Sequence, residues 1–155
     1  MRKSGFFAAL ALSAAIATPV MAQMDVEDQI KTRQSAFTFA GWNMGKIKAQ
    51  AIDGEVAYNE KQILAAANSI AAVANSGLGS LFGPGTGMDK NDNTKLKPEF
   101  FEQPDKAREV AIGFAQAATK LQQVAANGGD KAAIAAQFSE VGKSCKACHD
   151  AFRAK

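Results

Sequence analysis

Apolar residues recur every three or four positions in four separate segments of the chain, and this spacing most limits the fold. In the first segment, Val26 to Ala51, the apolar positions include Ile30, Phe37 and Met44. Such spacing places apolar side chains on one face of an α-helix. The alternation of apolar and polar residues that marks a half-buried strand does not occur in the sequence. The chain is therefore predicted to be all-α.

Helix-breaking residues separate the segments. A second helix is predicted over 59–75, and a third starts near Pro104, which suits a first helical turn. Asp130 is a favourable N-cap for the fourth. Four amphipathic helices predict an antiparallel four-helix bundle with one long loop, residues 77–102, between helices 2 and 3. Loops of this length are often functional.

The first 22 residues have the layout of a secretory signal peptide. A positive start, MRK, is followed by an apolar stretch over 6–17 and a small-residue cleavage pattern, VMA, at 20–22. A membrane anchor is the alternative, but the stretch is too short to cross ~30 Å of hydrocarbon. We expect residues 1–22 to be removed and 23–155 to form one domain in the bacterial periplasm, without membrane attachment.

The charge of the chain argues against nucleic-acid binding. The formal net charge is +3, and loss of Arg2 and Lys3 would lower it to +1. A nearly neutral protein lacks the basic stripe that nucleic acid requires. We therefore expect no nucleic-acid partner.

Both cysteines and the one histidine lie within five positions, in CKACH at 145–149. A disulfide here would close too small a ring to stabilise the fold, a redox CxxC usually accompanies strands, and zinc would need two further ligands. C-x-x-C-H is the attachment signature of c-type haem, in which each thiol adds to a porphyrin vinyl group. We predict one haem c per chain, bound through Cys145 and Cys148, with His149 as the iron ligand.

The sequence resembles the class II c-type cytochromes, the cytochrome c′ family. A four-helix bundle with CxxCH in its last helix is the arrangement of that family. The most specific match is VGKSCKACHDAFR at 141–153. Shorter matches are RQSAF at 33–37, GEVAYNEKQI at 54–63, FGPGTG at 82–87 and LKPEFF at 96–101. The resemblance covers the whole chain after the signal peptide.

The resemblance implies roles for several polar residues. Arg33, with Gln34 beside it, would contact the haem propionates; for both, the alternative is a solvated helix face. Further candidates for a propionate contact would be Lys95 and Lys97, in the loop before Pro98. Arg153, one turn after the histidine, would lie near the proximal imidazole.

The resemblance also places Phe37, four residues after the arginine, over the open face of the iron. Low-spin relatives have methionine there as a sixth ligand, and phenylalanine cannot coordinate. Met44 lies ~10 Å further along the helix and should not reach the iron. Phe82 and Phe101 would wall the haem pocket, although ordinary core packing is the alternative. The iron is therefore expected to be five-coordinate.

These features predict a haem protein that binds NO and CO, disfavours O2 and is not an enzyme. Phe37 offers no hydrogen-bond donor to bound O2. The alternative is an electron carrier that passes single electrons to a redox partner, and a peroxidase would need a distal histidine or arginine. In line with the family, we expect a homodimer through the first two helices, where Gly41, Gly45 and Ala49 could admit a close neighbour.

Overall fold

A computed structural model describes residues 24–155, so the predicted signal peptide lies outside the described residues. The helices are α1 (Val26–Ile47), α2 (Glu60–Ala74), the short α3 (Glu99–Glu102), α4 (Pro104–Ala126) and α5 (Lys131–Phe152). A π-helical turn, Lys48–Ile52, extends α1. The described part of the chain contains no strand, and none of its helices is long and apolar enough to cross a membrane. The predicted all-α bundle, formed by α1, α2, α4 and α5, is confirmed.

Local capping interactions set the starts of the bundle helices. The side chains of Asp25, Asn59 and Asp130 each accept a hydrogen bond from the backbone N–H three residues later, at 2.8, 3.1 and 2.8 Å. These contacts satisfy N–H groups that have no partner within the helix. Helix α4 begins instead with Pro104 in its first turn. The predicted helix starts are thus confirmed.

The core has two regions. The larger is formed by buried side chains of α2, α4, α5 and the end of α1: Ile47, Ala51, Ile63, Ala66, Ala67, Ile70, Ala118, Leu121, Ile134 and Val141. The smaller contains Ala107, Val110 and Phe152. Cys145 packs against the larger region and Cys148 against the smaller. The cysteine pair therefore lies where the two regions meet.

Helix α1 is not packed evenly against the bundle. It is in extensive contact with α2, whereas contact with α5 is made through the π-helical turn at its end. Phe37, in the middle of α1, is 41% exposed, and its ring centroid lies 6.4 Å from that of Phe114 on α4. The fold thus leaves the apolar side chain of Phe37 incompletely covered, on the side of α1 that faces Phe114 of α4.

The long loop over 77–102 is more regular than predicted. It contains a 3₁₀ turn, Leu78–Leu81, and ends in α3. An isolated antiparallel bridge joins Leu96 to Arg153, just after α5. The loop is therefore attached to the helix that carries the CKACH motif.

Candidate haem site

Cys145 and Cys148 are free, half-buried thiols on one side of α5, one helical turn apart. Burial raises the pKa of both thiols, and at Cys148 the nearby Cys145 adds to the effect. Both side chains contact core residues. Two unpaired thiols at the edge of the core fit the attachment of an apolar cofactor that would complete that core.

His149 follows directly, in the last turn of α5. Its pKa lies below the ordinary value, because the surrounding protein partly desolvates the imidazole and the positive charge of Arg153 opposes its protonation. The Arg153 backbone N–H donates to the His149 carbonyl at 3.0 Å, which keeps the two residues one turn apart. The neutral imidazole, the form that binds metal ions, is therefore favoured at neutral pH.

Arg33 is a buried cation, only 4% exposed, and it forms none of the ion pairs found among residues 24–155. Its guanidinium donates hydrogen bonds to Leu81 O at 3.0 Å, Thr86 O at 2.7 Å and Thr94 Oγ1 at 2.8 Å. It also lies 4.7 Å from the centre of the Phe82 ring. The alternative of a solvated helix face is therefore wrong for Arg33.

The burial of Arg33 has an electrostatic consequence. Desolvation lowers the pKa of its guanidinium to about 10. A buried charge is costly unless it is paired with an opposite charge. All three hydrogen-bond acceptors are neutral oxygens. The site thus fits an anionic group such as a propionate, which would supply the missing counter-charge.

Neighbouring polar side chains of α1 also reach the long loop. Gln34 is exposed and donates to Asn93 O at 2.8 Å. Gln29 is buried, and its Oε1 accepts a hydrogen bond from Gly83 N at 3.2 Å. Gln29 was not predicted from the sequence, although its position one turn before Arg33 could have indicated it. No sequence pattern indicated Thr86 and Thr94, the loop residues that accept hydrogen bonds from Arg33.

Lys95 and Lys97 flank the bridge to Arg153. Two backbone hydrogen bonds of 2.9 Å join this part of the loop to the last residue of α5 and to Ala154 beyond it. The ammonium of Lys97 lies 3.4 and 3.3 Å from the carbonyl oxygens of Asp150 and Ala151, where it meets the negative end of the helix dipole. Lys95 is exposed. The structure thus brings both lysines to the C-terminal end of α5.

The aromatic candidates form two separate groups. Phe82 stacks on Phe100 with ring centroids 4.8 Å apart, and Phe100 meets the edges of Phe101 at 5.5 Å and of Phe152 at 5.4 Å. Phe101 is 39% exposed, on the outside of this group. Phe100, which links the others, was not predicted from the sequence. Phe37 belongs to the other group, with Phe114 of α4.

A four-helix bundle whose last helix carries CxxCH defines a c-type haem protein of the bundle class. The model of the cytochrome c′ family matches residues 28–153, and the chain belongs to that family. The family binds haem c covalently, and the two cysteines of this chain are consistent with that attachment.

Two relatives illustrate the similarity. Cytochrome c′ of Allochromatium vinosum is 48% identical over 137 residues, which are 88% of this chain and 86% of that protein. The solved structure of cytochrome c′ from Thermochromatium tepidum is 45% identical with a TM-score of 0.79, and covers 86% of this chain and 100% of that chain. Both relatives thus match the chain over nearly all of its described length.

Further solved relatives were studied with ligands. Variants of cytochrome c prime from Alcaligenes xylosoxidans form a nitric oxide complex and a carbon monoxide complex; both are 31% identical, with TM-scores of 0.74, covering 84% of this chain and 98% of those chains. Another cytochrome c′, 49% identical with a TM-score of 0.79, covers 86% of this chain and 100% of that chain and shows ligand-controlled dimer dissociation.

Proposed function

We propose that this chain is a periplasmic haem protein that binds NO and CO at a five-coordinate iron and disfavours O2. Haem c supplies the iron to which these gases bind. Cys145 and Cys148 would hold it covalently, and His149 would be its one protein ligand. The observation that carries the proposal is that α1 has phenylalanine at position 37, and that the one methionine of α1, Met44, packs against the core.

The methionines of the described chain support a single axial ligand. Met44 packs against the larger core region. Met24 lies just before α1, and its sulfur is 3.7 Å from the Thr32 hydroxyl. Met88 lies in the long loop and is 42% exposed. None lies in the middle of α1, and the sequence has only one histidine.

The side chain of Phe37 supports discrimination among gases. Phe37 and Phe114 provide apolar surface and no hydrogen-bond donor. Hydrogen-bond donors beside the iron are one of the factors that decide whether O2 binds. NO and CO depend less on such a donor. Because Phe37 is incompletely covered, it has room to turn aside when a ligand binds. The NO and CO complexes of the Alcaligenes relatives agree with this proposal.

Arg33 would orient the cofactor through a propionate. Its charge has no carboxylate partner among residues 24–155, and its present hydrogen bonds hold it beside the loop segment 81–94. A propionate here would balance the positive charge of the guanidinium, which would stay in contact with the loop. Arg153 would act on the other side, where its charge adds to desolvation in lowering the pKa of the proximal imidazole.

We further propose that two copies associate through α1 and α2. Phe39 and Trp42, on the outer face of α1, are 48% and 59% exposed, with ring centroids 5.8 Å apart. A Cβ added at Gly41 or Gly45 would meet no atom within 4 Å, so these glycines leave room for a neighbouring chain. Dimerisation of a 49%-identical relative supports this arrangement.

Electron transfer is a second candidate function. It is favoured by two basic residues at the C-terminal end of α5: Lys97, whose ammonium contacts the last carbonyl oxygens of the helix, and Arg153, one turn after His149. Catalysis is less well supported, because the one histidine of the chain is assigned to the iron and leaves none for distal acid–base chemistry.

Absorption spectra of the purified exported protein test the proposal. We expect covalent haem that survives extraction with acidified acetone, a high-spin ferric form, and ferrous complexes with NO and CO but no stable O2 complex. Haem that is extracted would overturn the covalent attachment. A six-coordinate low-spin spectrum in both oxidation states would overturn the open coordination site and would favour electron transfer.

A further inference from the structure

The carbonyl groups at the C-terminal end of α5 lack donors within the helix. This is general for α-helices, because no N–H group follows that could continue the pattern. Here the N–H of Ala154, the second residue after α5, donates to Lys95 O at 2.9 Å in the long loop. Three carbonyl groups therefore depend on donors from outside the helix: those of Asp150, Ala151 and Phe152.

Lys97 contacts all three of these carbonyl groups. Its backbone N–H donates to Phe152 O at 2.9 Å. Its ammonium lies 3.4 Å from Asp150 O and 3.3 Å from Ala151 O. These two distances are long for hydrogen bonds, so the interaction is chiefly that of a positive charge with the negative end of the helix dipole. Pro98 follows Lys97 and favours the extended backbone with which the loop runs past the end of α5.

Two contacts hold the turn of α5 that carries His149. On the inner side, Phe152 is 1% exposed and packs with Ala107 and Val110 of α4. At the end of the helix, Lys97 is half-buried, and it forms none of the ion pairs found among residues 24–155. His149 itself is exposed, so the position of its imidazole depends on how firmly the backbone of this turn is held.

We propose that Lys97 is a positioning residue for the proximal ligand: it caps the end of α5 and thereby holds the backbone of His149, so that the imidazole is presented to the iron. The inference rests on the proposed function, in which His149 is the protein ligand of haem c. It gives Lys97 a role other than a propionate contact, because the ammonium faces backbone carbonyl oxygens. Since helix ends open locally unless their last groups are satisfied, loss of the cap should loosen this turn.

Three variants of the exported holoprotein test the role of Lys97. Lys97→Met removes the donor and the charge but keeps an unbranched side chain. Lys97→Arg keeps both the donor and the charge. Lys106→Met is the matched control, because Lys106 is an exposed lysine of α4 at the same end of the bundle, next to Ala107. Hydrogen–deuterium exchange at the end of α5 is followed by mass spectrometry, and the iron–histidine stretching band of the ferrous protein by resonance Raman spectroscopy.

We expect the amides of residues 149–154 to exchange about tenfold faster in Lys97→Met than in wild type, because two contacts with the helix end are lost. The iron–histidine band should broaden and move to lower frequency, because the imidazole is held less firmly. Lys97→Arg should restore both properties. Lys106→Met should change the exchange of these amides by less than about twofold, because it removes only an exposed charge.

Equal exchange rates in Lys97→Met and Lys106→Met would overturn the cap. Faster exchange with an unchanged iron–histidine band would contradict the positioning of His149, and a changed band with unchanged exchange would favour a propionate contact instead. If Lys97→Met does not load haem, Lys97→Gln, which loses the charge but keeps a donor, is judged by the same two measurements. Wild type without an iron–histidine band would overturn the proposed function, and the positioning role with it.

Discussion

Replacement of Arg33 by methionine tests how the long loop is held against α1. The change removes hydrogen bonds of 2.7 and 2.8 Å to the buried acceptors Thr86 O and Thr94 Oγ1, and one of 3.0 Å to the partly buried Leu81 O. Each buried acceptor left without a donor costs about 1–3 kcal/mol. Thr94 Oγ1 still accepts a hydrogen bond from the Leu96 backbone N–H at 3.2 Å. Thr86 O alone is therefore left without a donor, at a cost of roughly 2 kcal/mol at the centre of that range.

Loss of the guanidinium also removes an unfavourable contribution to the folding free energy, namely the cost of burying its charge. A fall in pKa from 12.5 to about 10 corresponds to about 3 kcal/mol of desolvation. Without a counter-ion, the lost hydrogen bond and the relieved desolvation would therefore nearly cancel, and the unfolding free energy would change by no more than about 1 kcal/mol. With a propionate beside Arg33, the desolvation is already offset, and removal of one member of a buried pair costs about 3–5 kcal/mol.

Urea unfolding of the ferric holoprotein separates these cases. We expect Arg33→Met to lower the unfolding free energy by about 3–5 kcal/mol, which shifts the midpoint by about 2 M. Arg33→Lys keeps the charge but cannot reach three acceptors, so its loss should be intermediate. The exposed Lys31→Met is the matched control. A loss of about 1 kcal/mol or less, indistinguishable from that of the control, would contradict the propionate contact.

Three further perturbations address the open iron face, the dimer and the one tyrosine. Phe37→Met should give a six-coordinate low-spin iron and weaker CO binding at a stability loss under ~1.5 kcal/mol; unchanged spectra and CO kinetics would show that Phe37 does not cover the iron. Trp42→Glu should weaken the dimer by about 30-fold in sedimentation velocity, whereas Ile112→Glu, at a 49% exposed position on α4, should not. Burial raises the pKa of Tyr58, so its contribution to stability is present below pH 10 and is lost as the pH rises through the raised value. Ultraviolet titration should therefore place tyrosinate formation above pH 10, and Tyr58→Phe should lose ~1 kcal/mol with its 2.9 Å hydrogen bond to Gly129 O; an ordinary titration would contradict the burial.

The helical fold and the cofactor could be predicted from sequence because both depend on local spacing. Apolar residues three and four apart define one face of a helix, and Asp130 and Pro104 set helix starts through contacts within a single turn. CKACH places two thiols and an imidazole on one helix, so the haem attachment needs no knowledge of the rest of the chain.

The surroundings of the cofactor site depend on tertiary structure. The spacing of residues along α1 does not reveal that Arg33 is buried. Its hydrogen-bond partners Thr86 and Thr94 lie more than 50 residues away in sequence, and they reach Arg33 only when the long loop folds back onto α1. For the same reason the sequence did not reveal that Phe100 joins the aromatic side chains, or that Lys97 meets the end of α5. A periodic pattern determines which side chains share a helix face, whereas hydrogen bonds and charges between distant segments are decided by how loops and helices pack.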